Sequence, residues 1–302
     1  MKELARDVSA LGGACWDYLG IVERLPELDE KTPIHSLSAQ GGGRAATAAA
    51  AVGRLGGTAA VFNRIGDDEF GRHIREGLEA DGVDTTWLIS VPGTRSHFAF
   101  CVVDKPSGKR TIFYEYGTAG TFSEDELDYD ALLDCRCFLT DSHHDWTSVA
   151  AARRAREAGV PVVLDIERPK PCNEHLLAAA THPIIPRDYA LTVTGTDSVE
   201  AAGMEMLRGG AQVAVITLGA EGAVAFAGDG ETIHEPALDV GPIVDTTGAG
   251  DVFHGAFALG IARGYDLREN LRFSSAVAGL KCRKLGGRAG IPTMDEVREF
   301  LG

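Results

Sequence analysis

Val244-Asp245-Thr246-Thr247-Gly248-Ala249-Gly250-Asp251-Val252-Phe253-His254-Gly255 is the stretch on which the reading of this chain turns. Gly248, Ala249 and Gly250 carry almost no side chain, so a polyanion can approach their backbone closely. A helix-forming apolar run follows at once. The unpaired N–H groups of its first turn, together with the helix dipole, face such an anion. Asp251 then sets a carboxylate in that same turn, where a bound phosphate would also lie. A negative group is out of place in a simple phosphate cradle, but it suits a general base beside a transferring phosphoryl group. The plainer alternative is a favourable N-terminal helix residue after a tight glycine turn.

Working outward, strand-like apolar runs at 8–11, 59–65, 160–165 and 212–218 alternate with helical patterns at 47–55, 68–81, 147–158, 199–208 and 252–263. Such alternation predicts an α/β fold with a mostly parallel central sheet covered on both faces. Val160-Pro161-Val162-Val163-Leu164-Asp165 reads as one of its central strands. No internal repeat or low-complexity linker breaks the pattern, so one domain over 1–302 is expected. Residues 16–39 and 97–116 lack helical periodicity, and Lys105-Pro106-Ser107-Gly108 reads as a hairpin turn within the second of them. Two strand-rich insertions predict a small β-lid that closes out water during phosphoryl transfer. Ordinary surface hairpins are the competing reading.

Bulk properties narrow the function. With 44 acidic against 29 basic residues the formal charge is −15, which disfavours nucleic acid and anionic membranes as partners. An anionic substrate would have to be held by a local cluster. Hydrophobic content is 44%, ordinary for a soluble globular protein, with no run long enough to span a bilayer. The opening residues Met1-Lys2-Glu3-Leu4-Ala5-Arg6-Asp7 lack the apolar core of a signal peptide. Cys15, Cys101, Cys135, Cys137, Cys172 and Cys282 form no C-x-x-C pair, so reduced thiols in a cytoplasmic protein without a zinc site are expected.

A second glycine-rich stretch, Gln40-Gly41-Gly42-Gly43-Arg44-Ala45-Ala46-Thr47, opens an Ala-rich helix that can pack tightly against a neighbour. Asp17 follows the first strand at its carboxyl end, where open α/β sheets bind ligands; on its own it also reads as a turn residue. Ile216-Thr217-Leu218-Gly219-Ala220-Glu221-Gly222 stands at the end of another strand. A dinucleotide-binding dehydrogenase fits poorly, because Gly12-Gly13-Ala14-Cys15-Trp16 is no G-x-G-x-x-G.

The 244–255 stretch closely resembles the C-terminal signature of the PfkB (ribokinase-like) family of carbohydrate kinases, and the resemblance extends from Val8 to Ile291. It implies a ribokinase-like three-layer fold with a small β-lid, ATP and Mg²⁺ as cofactors, and Asp251 as general base with Gly248, Ala249 and Gly250 around the transferring phosphoryl group. The 40–47 stretch resembles the family's N-terminal signature. Asp17, Gly42 and Gly43 would then hold sugar hydroxyls, with Thr47 where the family has Asn; a hydroxyl offers fewer donors than an amide. Thr217, Gly219, Ala220 and Gly222 resemble its Thr-Leu-Gly-x-x-Gly element at the ATP phosphates, to which Gly248 and Gly250 also belong. The family's Asn-x-x-Glu is absent, Pro186 and Tyr189 standing in its place. Lys284-Leu285-Gly286-Gly287-Arg288-Ala289-Gly290-Ile291-Pro292 resembles the loop that, with Asp245 and Thr247, encloses a K⁺ ion; a plain glycine-rich loop is the alternative.

Within the family the chain most resembles the 6-deoxy-6-sulfofructose kinases, through Gly41-Gly42-Gly43, Asp251-Val252-Phe253-His254-Gly255 and Leu280-Lys281-Cys282. Lys31 is the matching basic residue for a sulfonate. Tyr114 and His143 stand where that subgroup's other contacts, an Asn and an Arg, are expected, and His144 is a further candidate for the pocket lining. The resulting expectation is ATP-dependent phosphorylation of a primary hydroxyl of a ketose or modified ketose. Ribose, fructose or 2-keto-3-deoxygluconate are alternative acceptors, and a non-catalytic sugar or nucleotide sensor is the rival from another class. An exposed β-lid also invites pairing with a second copy, so a homodimer through the lid is expected.

Overall fold

The computed structural model describes residues 4–106 and 110–302. Met1, Lys2 and Glu3 of the charged N-terminal stretch, and Ser107 and Gly108 of the expected turn, lie outside the described residues. The first part of the chain runs β1 (Arg6–Leu11), β2 (Cys15–Val22), β3 (Ser36–Gly42), α1 (Arg44–Arg54), β4 (Ala59–Gly66), α2 (Glu69–Ala80), β5 (Val83–Asp84), β6 (Leu88–Val91), β7 (Phe98–Asp104) and β8 (Arg110–Glu115). Next come α3 (Tyr129–Leu133), β9 (Cys135–Asp141), α4 (Asp145–Glu157), β10 (Val162–Asp165), α5 (Asn173–Ala179), β11 (His182–Pro186), α6 (Arg187–Thr194), α7 (Val199–Arg208) and β12 (Val213–Thr217). The last are β13 (Ala223–Ala227), β14 (Thr232–Glu235), α8 (Ala249–Arg263), α9 (Leu267–Lys281) and α10 (Met294–Leu301).

The main sheet has the order β14-β13-β12-β11-β10-β9-β1-β4-β5, with β6 also on β4. Pairings from β12 to β5 are parallel, and β13 and β14 finish one edge antiparallel. Side chains alternate between two apolar layers. Val8, Ala10, Cys137, Leu139 and Val163 face α1, α2, α8 and α9, whereas Leu11, Phe138, Val162 and Leu164 face α4, α5 and α7. Burial on both faces is why these strands read as continuous apolar runs.

Of the boundaries that differ from the sequence pattern, three have a clear local reason. Helix α1 begins at Arg44, ahead of the expected 47, because Gly43 (φ 87°) turns the chain into it. Helix α8 begins at Ala249, behind the left-handed Gly248 (φ 73°). Strand β10 starts only at Val162: the Val160 N–H is spent on the Ala155 carbonyl, and Pro161 has no N–H to give.

Helix α8 is buried from Val252 to Gly260, an interior helix apolar on every side but for His254. It lies directly on α1, and a Cβ at Gly255 would strike the Ala48 carbonyl oxygen. The small residues of both helices therefore let their backbones touch. A second, four-stranded sheet of order β3-β2-β7-β8 is built from the two aperiodic regions. Strand β2 pairs antiparallel with β3 (Cys15↔Gly42) and parallel with β7 (Trp16↔Phe98), while β7 and β8 form the hairpin (Phe98↔Glu115). Among the described residues no helix is long and apolar enough to cross a membrane.

Candidate active site

Strands β1, β9 and β10 are neighbours, and their carboxyl ends deliver Gly12-Gly13, Asp141 and Asp165 to one place. The Gly13 N–H donates to Asp141 Oδ2 (3.0 Å) and the His143 N–H to Oδ1 (2.6 Å). A Cβ on Gly12 would come within 2.5 Å of the Asp141 carboxyl carbon, so only glycine fits there. Arg44, the first residue of α1, lies between the two carboxylates. Its Nε is 3.8 Å from Asp141 Oδ2 and its Nη1 3.8 Å from Asp165 Oδ1. Burial alone would raise Asp141, but Arg44, His143 and the two backbone donors hold it below the ordinary carboxylate range. Burial keeps Asp165 raised despite His254 and Arg44.

Asp251 stands in the first turn of α8, near enough to this cluster for the charges of Asp165 and Arg44 to act on it. Its carboxyl is pushed up to about 7, first by burial and then by the charges of Asp165 and Glu167, with His254 and Arg44 opposing. A carboxyl poised near neutrality in a helix N-terminal turn is suited to accept a proton. Beside it, Gly250 is exposed and has no atom within 4 Å of where a side chain would begin, so the approach is open. His254, one turn on, fastens this end of α8 to the sheet: its Nδ1 lies 2.7 Å from the Gly250 carbonyl and its Nε2 2.9 Å from that of Ile184.

On the small sheet, Asp17 lies over Gly42, where any Cβ would run into its carboxylate. The Cys15 thiol donates to Asp17 Oδ1 (2.9 Å), and burial raises the Asp17 carboxyl against the pull of Cys15 and Arg288. Gly43 is equally constrained, since a side chain would strike the Gly13 carbonyl. The buried Arg288 reaches into this corner, with Nη2 donating to the Gly42 carbonyl (2.9 Å) and Nε to Thr47 Oγ1 (3.4 Å). Its Nη1 is buried with no hydrogen-bond partner. Burial lowers the Arg288 guanidinium, and the charges of Asp81, Cys15, Asp17 and Asp251 oppose that shift.

Other expected residues are placed less directly. Thr47 is wholly buried, its hydroxyl engaged by Arg288. Lys31 is exposed on the connection between β2 and β3 and makes no hydrogen bond or ion pair among the described residues. Tyr114 and His143 belong to an aromatic group with His97 and Tyr116: the Tyr114 and Tyr116 rings are 5.1 Å apart, and the His97 and His143 rings are stacked at 6.4 Å. His144 is taken up structurally; it is buried, and its Nδ1 accepts the Phe122 N–H (3.1 Å). Thr217 ends β12, and Gly219 (φ 62°) and Ala220 follow it with open space at Gly219. Gly222 is instead used for packing, because a Cβ there would hit the Glu235 carbonyl. Pro186 pairs with Thr217, and the buried Tyr189 hydroxyl accepts from Asn173 Nδ2 (2.6 Å), so neither stands ready as a metal ligand.

A profile of the pfkB family carbohydrate kinases matches residues 5–294. The chain belongs to this family. As a pfkB family member it is a sugar kinase with the ribokinase-like fold. It is 30% identical to the ATP-dependent ribose-1-phosphate kinase of Halopiger xanaduensis over 295 residues, which is 97% of each chain. The ribokinase of Arabidopsis thaliana, solved with ribose and ATP, superposes with a TM-score of 0.85 at 25% identity and covers 99% of both chains. The Thermotoga maritima ribokinase superposes with a TM-score of 0.86 at 25% identity, over 98% of this chain and 99% of its own.

Arg44, Asp141, Asp165 and Arg288 were not singled out by the sequence reading. A signal existed for the two aspartates, as carboxylates at the carboxyl ends of parallel strands. Arg288 comes from a loop remote in sequence, and only folding brings it to Gly42.

Proposed function

We propose that the chain transfers the γ-phosphoryl group of MgATP to a primary hydroxyl of a sugar, a ketose or modified ketose such as 6-deoxy-6-sulfofructose, with Asp251 as general base. The observation that carries the reading is the Asp251 carboxyl, poised near 7 at the open N-terminus of α8 and beside the Arg44–Asp141–Asp165 cluster. The sugar rests against Asp17, Gly42 and Gly43, and the small sheet covers it as a lid. Asp251 takes the hydroxyl proton as that oxygen attacks phosphorus. N–H groups of Gly248, Gly250 and Asp251 and the dipole of α8 stabilise the charge on the transferring group, whereas the Ala249 N–H is already spent on the Thr246 carbonyl (3.2 Å). The nucleotide lies along Thr217, Gly219 and Ala220.

Magnesium enters with the nucleotide, and no side chain is assigned to it. The K⁺ ion that the family resemblance implies finds the Asp245 carboxylate already bonded to Thr247 and Gly286, and no step is assigned to it. Leu37, Ile112 and Phe113 on the outer strands of the small sheet are exposed, which supports pairing of two lids in a homodimer. Six free cysteines are in keeping with the expected cytoplasmic setting.

A second reading, ribose 1-phosphate as acceptor, is favoured by the Halopiger relative and by the positive Arg288 beside Asp17. ADP release from MgATP, followed across ribose, ribose 1-phosphate, fructose, fructose 6-phosphate, 2-keto-3-deoxygluconate and 6-deoxy-6-sulfofructose, separates these. The highest kcat/KM on a sulfonated ketose supports the first reading and on ribose 1-phosphate the second. Tight binding of sugar and nucleotide without ADP release would leave a sensor.

A further inference from the structure

Lys281 is a full-length lysine with no exposed surface at all, and the chemistry described so far does not use it. It is the last residue of α9, and its Nζ donates to the backbone carbonyl oxygen of Asp245 (3.0 Å). Three stretches of backbone meet around this contact. The N–H groups of Val244 and Asp245 both donate to the Cys282 carbonyl (2.9 and 3.1 Å), which lays the start of the phosphate-facing loop along the end of α9. The Asp245 carboxylate accepts from the N–H and hydroxyl of Thr247 (2.9 and 2.8 Å) on one oxygen, and from the Gly286 N–H (2.7 Å) on the other. Gly248 packs on Gly287, where a Cβ would fall 2.8 Å from the Gly287 Cα.

A K⁺ ion in this place would need oxygen ligands free to turn towards it. Here the Asp245 carbonyl is held by an ammonium and both carboxylate oxygens by N–H or O–H donors. The residues present do not fit the ion. They fit a positive charge already supplied by the chain, and the negative end of the α9 dipole favours a cation at this same point.

We propose that Lys281 is a positioning residue that acts as a tethered monovalent cation: its ammonium braces the Asp245 carbonyl and so fixes the loop that presents the N–H groups of Gly248, Gly250 and Asp251, and the protein needs no alkali-metal ion. The part of this that concerns turnover rests on the kinase reading above; the part that concerns cation binding does not.

The test compares wild type with Lys281→Ala, and with Lys281→Met, which keeps the apolar stem and drops the charge. Melting temperature is measured in choline chloride and in potassium or ammonium chloride at matched ionic strength. The wild type is expected to melt at the same temperature in all three salts. Lys281→Ala is expected to melt lower, and to recover selectively with K⁺ or NH₄⁺ but not choline. Turnover under the same salts is expected to be cation-independent in the wild type, and roughly 10–100-fold lower in either variant without K⁺, the usual cost of removing a group that orients a reacting shell. Selective K⁺ stabilisation or activation of the wild type overturns the proposal. So does a Lys281→Met enzyme as active as wild type in choline. If Lys281→Ala does not fold, the wild-type and Lys281→Met arms still decide. An absence of turnover on any sugar would refute the kinase reading and leave the melting result to judge Lys281 separately.

Discussion

Replacing Asp251 by Asn separates what this carboxylate does for chemistry from what it costs the fold. Its carboxyl is moved from 3.8 to about 7. At about 1.36 kcal/mol per pH unit, ionising it in the folded protein above pH 7 forfeits about 4 kcal/mol relative to the unfolded chain. The sign follows from proton counting: the folded state binds more protons between 3.8 and 7, so stability is highest below that window and is lost as pH rises through it. Asn removes the charge but keeps a polar group, which takes back about 1–2 kcal/mol in desolvation. The net gain at about pH 8 is then about 2 kcal/mol, fading towards about pH 4. Turnover should fall roughly 10²–10⁴-fold, the range for a lost general base. Urea titrations of both proteins at about pH 8 and about pH 4, alongside coupled ADP release, check this. An Asp251→Asn variant no more stable than wild type at the higher pH, or one still turning over at the parental rate, would refute the reasoning.

Asp165→Asn removes the largest of the neighbouring charges that raise Asp251; the acid limb of the kcat/KM pH profile should move about one pH unit lower, since like-charge repulsion is relieved. An unmoved limb would separate the two carboxylates functionally. Gly42→Ala drives a methyl into the Asp17 carboxylate, so the sugar KM should rise roughly tenfold or more while the nucleotide KM stays within about twofold. Gly255→Ala forces α8 off the Ala48 carbonyl and should destabilise by about 1–3 kcal/mol, read as a lower urea midpoint at constant slope.

Much of the architecture was legible because the period of burial matches the period of the sequence. The two-faced strands read as apolar runs, and the small sheet announced itself by the lack of helical spacing at 16–39 and 97–116. Boundaries failed where single backbone groups decide them, as at Val160, whose N–H serves the preceding helix. At the site, the glycine loops and Asp251 were visible because close approach of backbone leaves a compositional trace. Thr47 could not be foreseen as occupied, because Arg288 reaches it from the other end of the chain. Nor could Gly222 be told from Gly219: one is crowded by Glu235 and the other faces empty space, and sequence alone shows two similar glycines.

The backbone contact between Gly255 and Ala48 makes the helix bearing Asp251 and the helix opened by Gly43 and Arg44 a single mechanical block. Relative motion of these two helices would have to break that contact, so they move together. On the function proposed above, acceptor preference could then drift by changes in the four-stranded sheet while the paired helices beneath stay untouched.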